Sequence, residues 1–348
     1  MIFTGDVAIA DDDKFSFVGF EPRMLSKPWV INLEGAILTD GKAYPEWGVY
    51  NSKEWQDSFR NFNIGAIFIG NNHICDLDKG IEDSIDCFIN QGLNFFGGGK
   101  NIKEAKLPVQ VESDGLNYVM LGFGWPVIGC KVAKRSSGGV NRFERKEVIK
   151  STKQYLKTIG SDRLVVVIHG NYEFEAYPQP GHRKIAKELI DLGAYSVIFH
   201  HPHIVGNIER YKDRTIAYSL GNWAFSYGQY FGGKLKFPVS SFKQIALELG
   251  MDGDIVHHTN FIPPNNVEYK CSEFVNSSDF SLRPEFEGFN DAEYLRWFKK
   301  NRVKKKGLPI YLNANDTISN RLRNQWVFCR QILVDKASKL GLKKMRSE

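Results

Sequence analysis

The chain has 348 residues, 42% of them hydrophobic and 25% charged, which is enough apolar material for a sizeable core in one large or two ordinary domains. Disordered, collagen-like and disulfide-stapled classes are excluded. The net charge of +6 is uneven: residues 301–348 contribute +9 and residues 1–300 contribute −3, so the basic character belongs to the C-terminal end.

In chain order, residues 1–5 and 29–33 read as the first two strands. The runs 64–69, 118–123, 164–168 and 196–199 are short, rich in β-branched and aromatic residues and bounded by glycine or polar clusters, so they read as buried strands. Amphipathic helices are expected between them, over 80–91 (Ile81, Ile85, Phe88 and Ile89 on one face) and 184–192. This alternation predicts an α/β sheet flanked by helices. After about 215 the pattern becomes strand and turn (215–218, 244–249, 255–263), with Asp252-Gly253 as a hairpin signal. Pro263-Pro264 marks a boundary near 265. Residues 265–320 read as polar and irregular, and a final helix carries Leu322, Trp326, Cys329, Leu333, Ala337 and Leu340 at steps of three and four.

The five cysteines are scattered, with no Cys-x-x-Cys pair, a pattern of reduced thiols that predicts a cytoplasmic protein. Met1 leads straight into a strand rather than a signal peptide. The uncharged stretch 115–130 is too short and glycine-rich to span a membrane.

Histidines cluster where strands end. His73 follows 64–69, His169 follows 164–168, and His200, His201 and His203 follow 196–199; Asp6 and Glu34 hold equivalent places after the first two strands. His257 and His258 read as surface alternation. Ligands gather at the carboxyl ends of strands in α/β sheets, so these segments are expected to converge. Two carboxylates, Asn72 and several imidazoles form a mixed N/O set suited to one or two Mn, Fe or Zn ions, and wrong for calcium or a cysteine-rich zinc site. Such a set activates water against a phosphoryl or carbonyl centre. His73 is placed to donate a proton. Asp76 either holds the His73 ring in one tautomer or caps the helix that follows. Residues 170–180 read as a pocket rim, with Glu173 close to the site. No Gly-x-Ser-x-Gly elbow or nucleophilic cysteine competes with this reading.

The motifs Gly5-Asp6-Val7, Asn32-Leu33-Glu34-Gly35, Asn71-Asn72-His73, His169, His201-Pro202-His203 and Tyr218-Ser219-Leu220-Gly221-Asn222 occur in an order that resembles the CapA family of capsule and poly-γ-glutamate synthesis, over residues 1–265. The resemblance implies the calcineurin-like metallophosphoesterase fold, a mixed sheet sandwich flanked by helices. It also implies that Asp6 and His203 hold a first metal, that Asn72, His169 and His201 hold a second, and that Glu34 bridges them. His73 would protonate the leaving group, and His182 and Asn222 would join Glu173 around the substrate. The chain departs from the family pattern at Ala8, where a histidine is usual in the parent superfamily. Further departures are Gly170-Asn171 in place of Trp-Gly, Phe199 for glycine, Tyr195 for aspartate and His182 for glutamine.

A metal-dependent hydrolase acting on a phosphoester or carbohydrate-linked ester in capsule, exopolysaccharide or polyglutamate metabolism is the first expectation. A non-catalytic protein of polymer assembly is the second. The partner expected is an anionic or carbohydrate polymer or its precursor, not nucleic acid, since no basic–aromatic module is present. The basic face of the last helix is read either as a solvated surface or as a peripheral contact with the inner membrane face or an anionic polymer.

Overall fold

The computed structural model describes residues 1–10, 13–39, 48–160, 162–303 and 307–339. The chain first lays down Ile2–Ala8 (β1), Ser16–Val18 (β2), Pro28–Leu33 (β3), Asn63–Phe68 (β4) and Phe95–Phe96 (β5), with the helix Gly80–Asn90 (α1) between the last two. It then builds a second sheet from Val109–Ser113 (β6), Leu116–Gly124 (β7), Arg163–His169 (β8), Ser196–His200 (β9), Ile208–Tyr211 (β10) and Arg214–Ala217 (β11). The helices Arg145–Leu156 (α2) and Pro180–Leu192 (α3) are interposed. Finally it returns to the first sheet with Asn222–Phe225 (β12), Lys243–Glu248 (β13), Ile255–Ile262 (β14) and Asn266–Phe274 (β15), and ends in Asp291–Asn301 (α4) and Ile318–Lys339 (α5).

The first sheet runs β2-β15-β14-β13-β1-β3-β4-β5 with β12 also on β1, and the second runs β10-β11-β9-β8-β7-β6. Central neighbours are parallel (β1 with β3, β3 with β4, β7 with β8, β8 with β9). Strands buried on both faces need apolar residues at every position, and Leu164 to Ile168 supplies them. Val165 and Val167 point into the layer between the sheets with Phe3, Phe68 and Ile198. Leu164, Val166 and Ile168 point outward against Ile185 and Leu189 of α3. On the outer face of the first sheet Trp29, Ile31 and Trp223 pack with Ile81, Ile85 and Phe88 of α1. The result is the expected sheet sandwich flanked by helices. Ile89 departs from the expected apolar face of α1: it lies near the helix end and is exposed.

The boundary expected near 265 falls inside a hairpin. β15 pairs antiparallel with β14 throughout and parallel with β2, so residues 266–274 belong to the first sheet. The stretch expected to be polar and irregular holds the helix α4 and packs in part against the body of the protein. Phe286, Tyr294, Phe298 and Tyr311 are buried in the second core. Arg183 of α3 reaches across to them: its guanidinium makes a two-point pair with Glu209 at 3.0 and 2.6 Å and donates to the carbonyls of Phe286 and Phe289. Leu340, Lys343 and Lys344 of the expected terminal helix lie outside the described residues. His257 is not a surface residue: it is buried, and its Nε2 lies 2.7 Å from Glu248 on the adjacent strand. His258 pairs with Glu273 at 2.9 Å.

Candidate metal centre

The two sheets bring the carboxyl ends of β1, β3, β4, β8 and β9 together, and the sequence-selected residues meet there. Asp6 lies near the end of β1. Its strand approaches the 219–221 turn so closely that a Cβ on Gly5 would sit 2.2 Å from the Gly221 carbonyl, and only glycine fits. Glu34 follows β3, and its turn is set by Gly35 at φ +92°, where a side chain would strike the Val49 backbone. Asn72 and His73 follow β4. His169 ends β8, and His201 and His203 follow β9 with backbone φ of 98° and 57°. Positive φ at non-glycine residues is strained and needs support from its surroundings.

Two groups of three ligand atoms form, each within 4.8 Å: Asp6, Glu34 and His203, and Glu34, His169 and His201. Glu34 is common to both. Asn72 adds its amide oxygen 2.7 Å from His169 Nε2. Glu34 is fully buried and neither of its oxygens has a hydrogen-bond partner among the described residues. Its Oε1 lies 3.7 Å from His169 Nε2 and 3.8 Å from the Nε2 atoms of His203 and His73. Burial, then the charges of Asp6, Glu173 and Asp76, raises the Glu34 carboxyl well above its ordinary range. Burial and the surrounding imidazoles hold His169 far below its own, in the neutral form that ligates metal. Unpaired acid at the centre of a buried ring of nitrogen and oxygen donors is the arrangement that a divalent cation satisfies. The residues therefore fit one or two such ions.

The neighbours orient the ligands. Asn32 Nδ2 donates to Asp6 Oδ1 at 2.6 Å, and the His201 backbone N–H donates to Oδ2 at 3.3 Å. His200 Nδ1 lies 3.3 Å from Asp6 Oδ1. Asn71 ties two loops together: its Nδ2 donates to the Leu33 carbonyl, and its Oδ1 accepts from the N–H groups of Gly35 and His73. His73 Nδ1 stands 2.6 Å from Asp76 Oδ2, which also accepts from Val49 N–H. The residue preceding α1 is Lys79, so Asp76 holds His73 rather than capping that helix. Burial pulls the His73 imidazole down, but the charge and hydrogen bond of Asp76 outweigh it and hold the ring above its ordinary value.

The expected pocket residues divide. Glu173 is exposed on the rim, close enough to raise Glu34 and His73 by its charge. His182 does not line a substrate space. It is buried in the first turn of α3, edge-on to Trp125 and stacked on Phe199, and burial pushes it down to about 3. Asn222 backs a ligand instead, with Oδ1 2.9 Å from His203 Nδ1. Asn32, Asn71 and His200 had no assigned role in the sequence; Asn32 on β3 stands directly opposite Asp6 on β1, a register that spacing alone does not reveal.

The profile described as "Bacterial capsule synthesis protein PGA_cap" matches residues 26–227, more than half of the chain. Glu34, Asn72, His73, His169, His201, His203 and Asn222 fall within this stretch, and Asp6 precedes it. The "Capsule biosynthesis protein CapA" of Bacillus anthracis is 31% identical over 163 residues, 46% of this chain and 40% of that protein. The "PGA biosynthesis protein CapA" of Bacillus subtilis (strain 168) is 29% identical over 189 residues, 54% of this chain and 49% of that protein. The alignments thus span less than half the length of either relative. Among solved structures, a hypothetical protein from Thermus thermophilus superposes with a TM-score of 0.42 at 10% identity, covering 78% of this chain and 96% of its own. A 5'-nucleotidase precursor from the same organism gives 0.39 at 10% identity, covering 78% of this chain and 53% of its own.

Proposed function

The chain belongs to the bacterial capsule synthesis family PGA_cap, and from that premise we propose that it is a metal-dependent hydrolase. Its substrate is a phosphoester or carbohydrate-linked ester in capsule, exopolysaccharide or polyglutamate metabolism. The observation that carries this reading is Glu34: fully buried, without a hydrogen-bond partner among the described residues, and shared by two groups of three ligands. Asp6 and His203 would hold one ion with Glu34, and His169, His201 and Asn72 would hold the other. A divalent ion bound there supplies Lewis-acid chemistry, making water acidic enough to attack near neutral pH and offsetting charge on a phosphoryl oxygen.

The protein's own part is positional and protonic. Asn32 fixes the Asp6 carboxylate and Asn222 fixes the His203 ring. Asp76 holds His73 through Nδ1 and favours its protonated form, which leaves Nε2–H facing the space beside Glu34. From there it can protonate a departing oxygen.

The test is elemental analysis after reloading with Mn, Fe or Zn, combined with hydrolysis of p-nitrophenyl phosphate and its diester. One or two equivalents of metal are expected, lost in Asp6→Ala plus His203→Ala. His73→Asn should keep the metal and lower turnover by about 10²–10⁴-fold. Absence of bound metal under every loading condition would sink the hydrolase reading, and full activity of His73→Asn would sink its role as the acid.

One observation favours a second reading, a non-catalytic protein that binds an anionic polymer. The position two residues after Asp6 is Ala8, buried and paired with Phe225, so it offers no ligand to the Asp6 group. Metal binding without hydrolysis of any test ester, together with retention of polyglutamate, would select this alternative.

A further inference from the structure

The helix α5 is built the wrong way round for a helix that stabilises a core. Its inward side is mostly polar. Asn320 is buried and donates to the carbonyls of Asn313 and Asn315, Asn324 accepts from the Tyr311 hydroxyl, and Val327 is the buried apolar side chain among them. Its outward side is apolar. Ile318, Leu322, Trp326, Cys329 and Leu333 succeed one another at steps of four, four, three and four, which is a single face of an α-helix. Ile318 is 77% exposed, Leu322 61% and Leu333 68%, and Phe328 and Ile332 widen the stripe on one side. An amphipathic helix normally turns this stripe toward the protein. An exposed stripe of this extent marks an interaction surface.

We propose that α5 docks the protein on an anionic lipid surface, with its apolar face lying in the interface and its cations against the headgroups. This inference goes beyond the chemistry proposed for the metal centre and does not depend on it. Charge selects the occupant. Residues 318–339 carry five Lys and Arg against one Asp. Lys336 is exposed on the side of the stripe, three and four residues after Leu333 and Ile332, whereas Arg321 on the same side is paired with Asp316 at 2.9 Å. A second copy of the chain would bring like charges together along the helix. A soluble polyanion would use the cations and leave the apolar face in water. Lipid satisfies both; Trp326, 57% exposed, adds its ring to the stripe while its indole N–H donates to the Gly307 carbonyl. Among the described residues no helix, α5 included, is long and apolar enough to cross a membrane, and the docking proposed for α5 is along the surface.

The test is co-sedimentation of the full chain with vesicles of phosphatidylcholine alone and of phosphatidylcholine with one third phosphatidylglycerol. Retention on the anionic vesicles should exceed that on the neutral ones by about tenfold or more and fall with added salt. Both leucines being exposed, Leu322→Gln plus Leu333→Gln, which leaves the charge unchanged, should fold normally, with its metal content unchanged, and should lose retention by about tenfold or more. Three results overturn the proposal. One is failure to bind either vesicle. Another is anionic binding that the double variant retains, which would mean charge alone and favour a polymer. The third is a dimer by light scattering that the double variant dissociates, which would make a second copy the occupant.

Discussion

Replacing Glu34 by glutamine separates what this side chain does without a cation from what it does with one. The carboxylate is fully buried, neither oxygen has a hydrogen-bond partner among the described residues, and three acidic neighbours raise its affinity for a proton. A buried polar group left without a partner costs about 1–3 kcal/mol, and more when charged. In EDTA at pH 8 the neutral amide should therefore leave the protein as stable as the wild type, or more stable by up to about 2 kcal/mol. With Mn²⁺ the order should reverse. A ligand that binds only the folded state stabilises it by about 2.7 kcal/mol at a hundredfold excess over its dissociation constant. Because Glu34 belongs to both ligand groups, the variant should forgo most of that gain at each. Urea titrations in the two buffers give the comparison through the midpoints, provided the slopes agree. A variant destabilised equally in EDTA and in Mn²⁺ would refute the reasoning, because Glu34 would then be an ordinary packing element.

Two further predictions concern the frame around the site. Arg183→Met should destabilise the protein by about 3–5 kcal/mol in urea, since among the described residues it leaves the buried Glu209 with Lys187 at 3.1 Å and the Tyr218 hydroxyl at 2.6 Å. Adding Glu209→Gln should restore a large part of the loss, and no restoration would show that the charge is not its cause. Glu248 bears on acid stability. Burial works to raise its carboxyl, but hydrogen bonds from His257 and Lys27 outweigh that and push it from 4.5 down to about 2. A folded value below the unfolded one gives stability that is present above about pH 4.5 and lost as pH falls toward 2, amounting to about 3 kcal/mol at most. Unfolding free energies measured from pH 6 to pH 2 should fall less steeply for Glu248→Gln than for the wild type; superimposable slopes would contradict the assignment.

The parts of the fold legible in sequence are those that one segment dictates alone. A run such as Leu164 to Ile168 must be a strand with both faces covered, and it is. β15 escaped notice because its sequence, Asn266–Phe274, is mostly polar and much of it stays in water. What makes it a strand is the edge of β14, a non-local cause. The helix Asp291–Asn301 did carry a local sign: Asn290 and Glu293 form a reciprocal cap at its start. The periodicity of α5 correctly gives a helix, yet periodicity says only that one face is apolar, not that the protein covers it. In the candidate site the converging residues were legible, because metal-binding residue types at the ends of several strands limit where they can go. Their supports were not. Asn32 reaches Asp6 only through the β1–β3 register, and His182 is a core histidine because Trp125, Phe143 and Phe199 surround it from three other segments.

The loop after His169 joins these two levels. It begins with Gly170-Asn171, where the chain departs from the pattern it otherwise resembles, and Asn171 adopts φ 95°. The Asn171 side chain folds the loop back by donating to the carbonyls of Glu175 and Tyr177, and Gln179 Nε2 donates to its Oδ1. The far side of that loop is held by the C-terminal part of the chain. Tyr294 donates to the Pro178 carbonyl at 2.6 Å, Tyr172 to the Pro309 carbonyl at 3.1 Å, and the Tyr311 N–H to Gln179 Oε1 at 3.2 Å. The rim carrying Glu173 and Phe174 is thus bounded by the candidate ligand His169 at one end and braced by Tyr294, Pro309 and Tyr311 along its outer side. On the hydrolase proposal, substitutions at Tyr294 and Tyr311 should change the ratio of p-nitrophenyl phosphate to diester hydrolysis while leaving metal content unchanged, because neither residue is among the candidate ligands. The candidate ligands and the rim are therefore set by different parts of the chain, and residues placed to hold a metal do not by themselves identify a substrate.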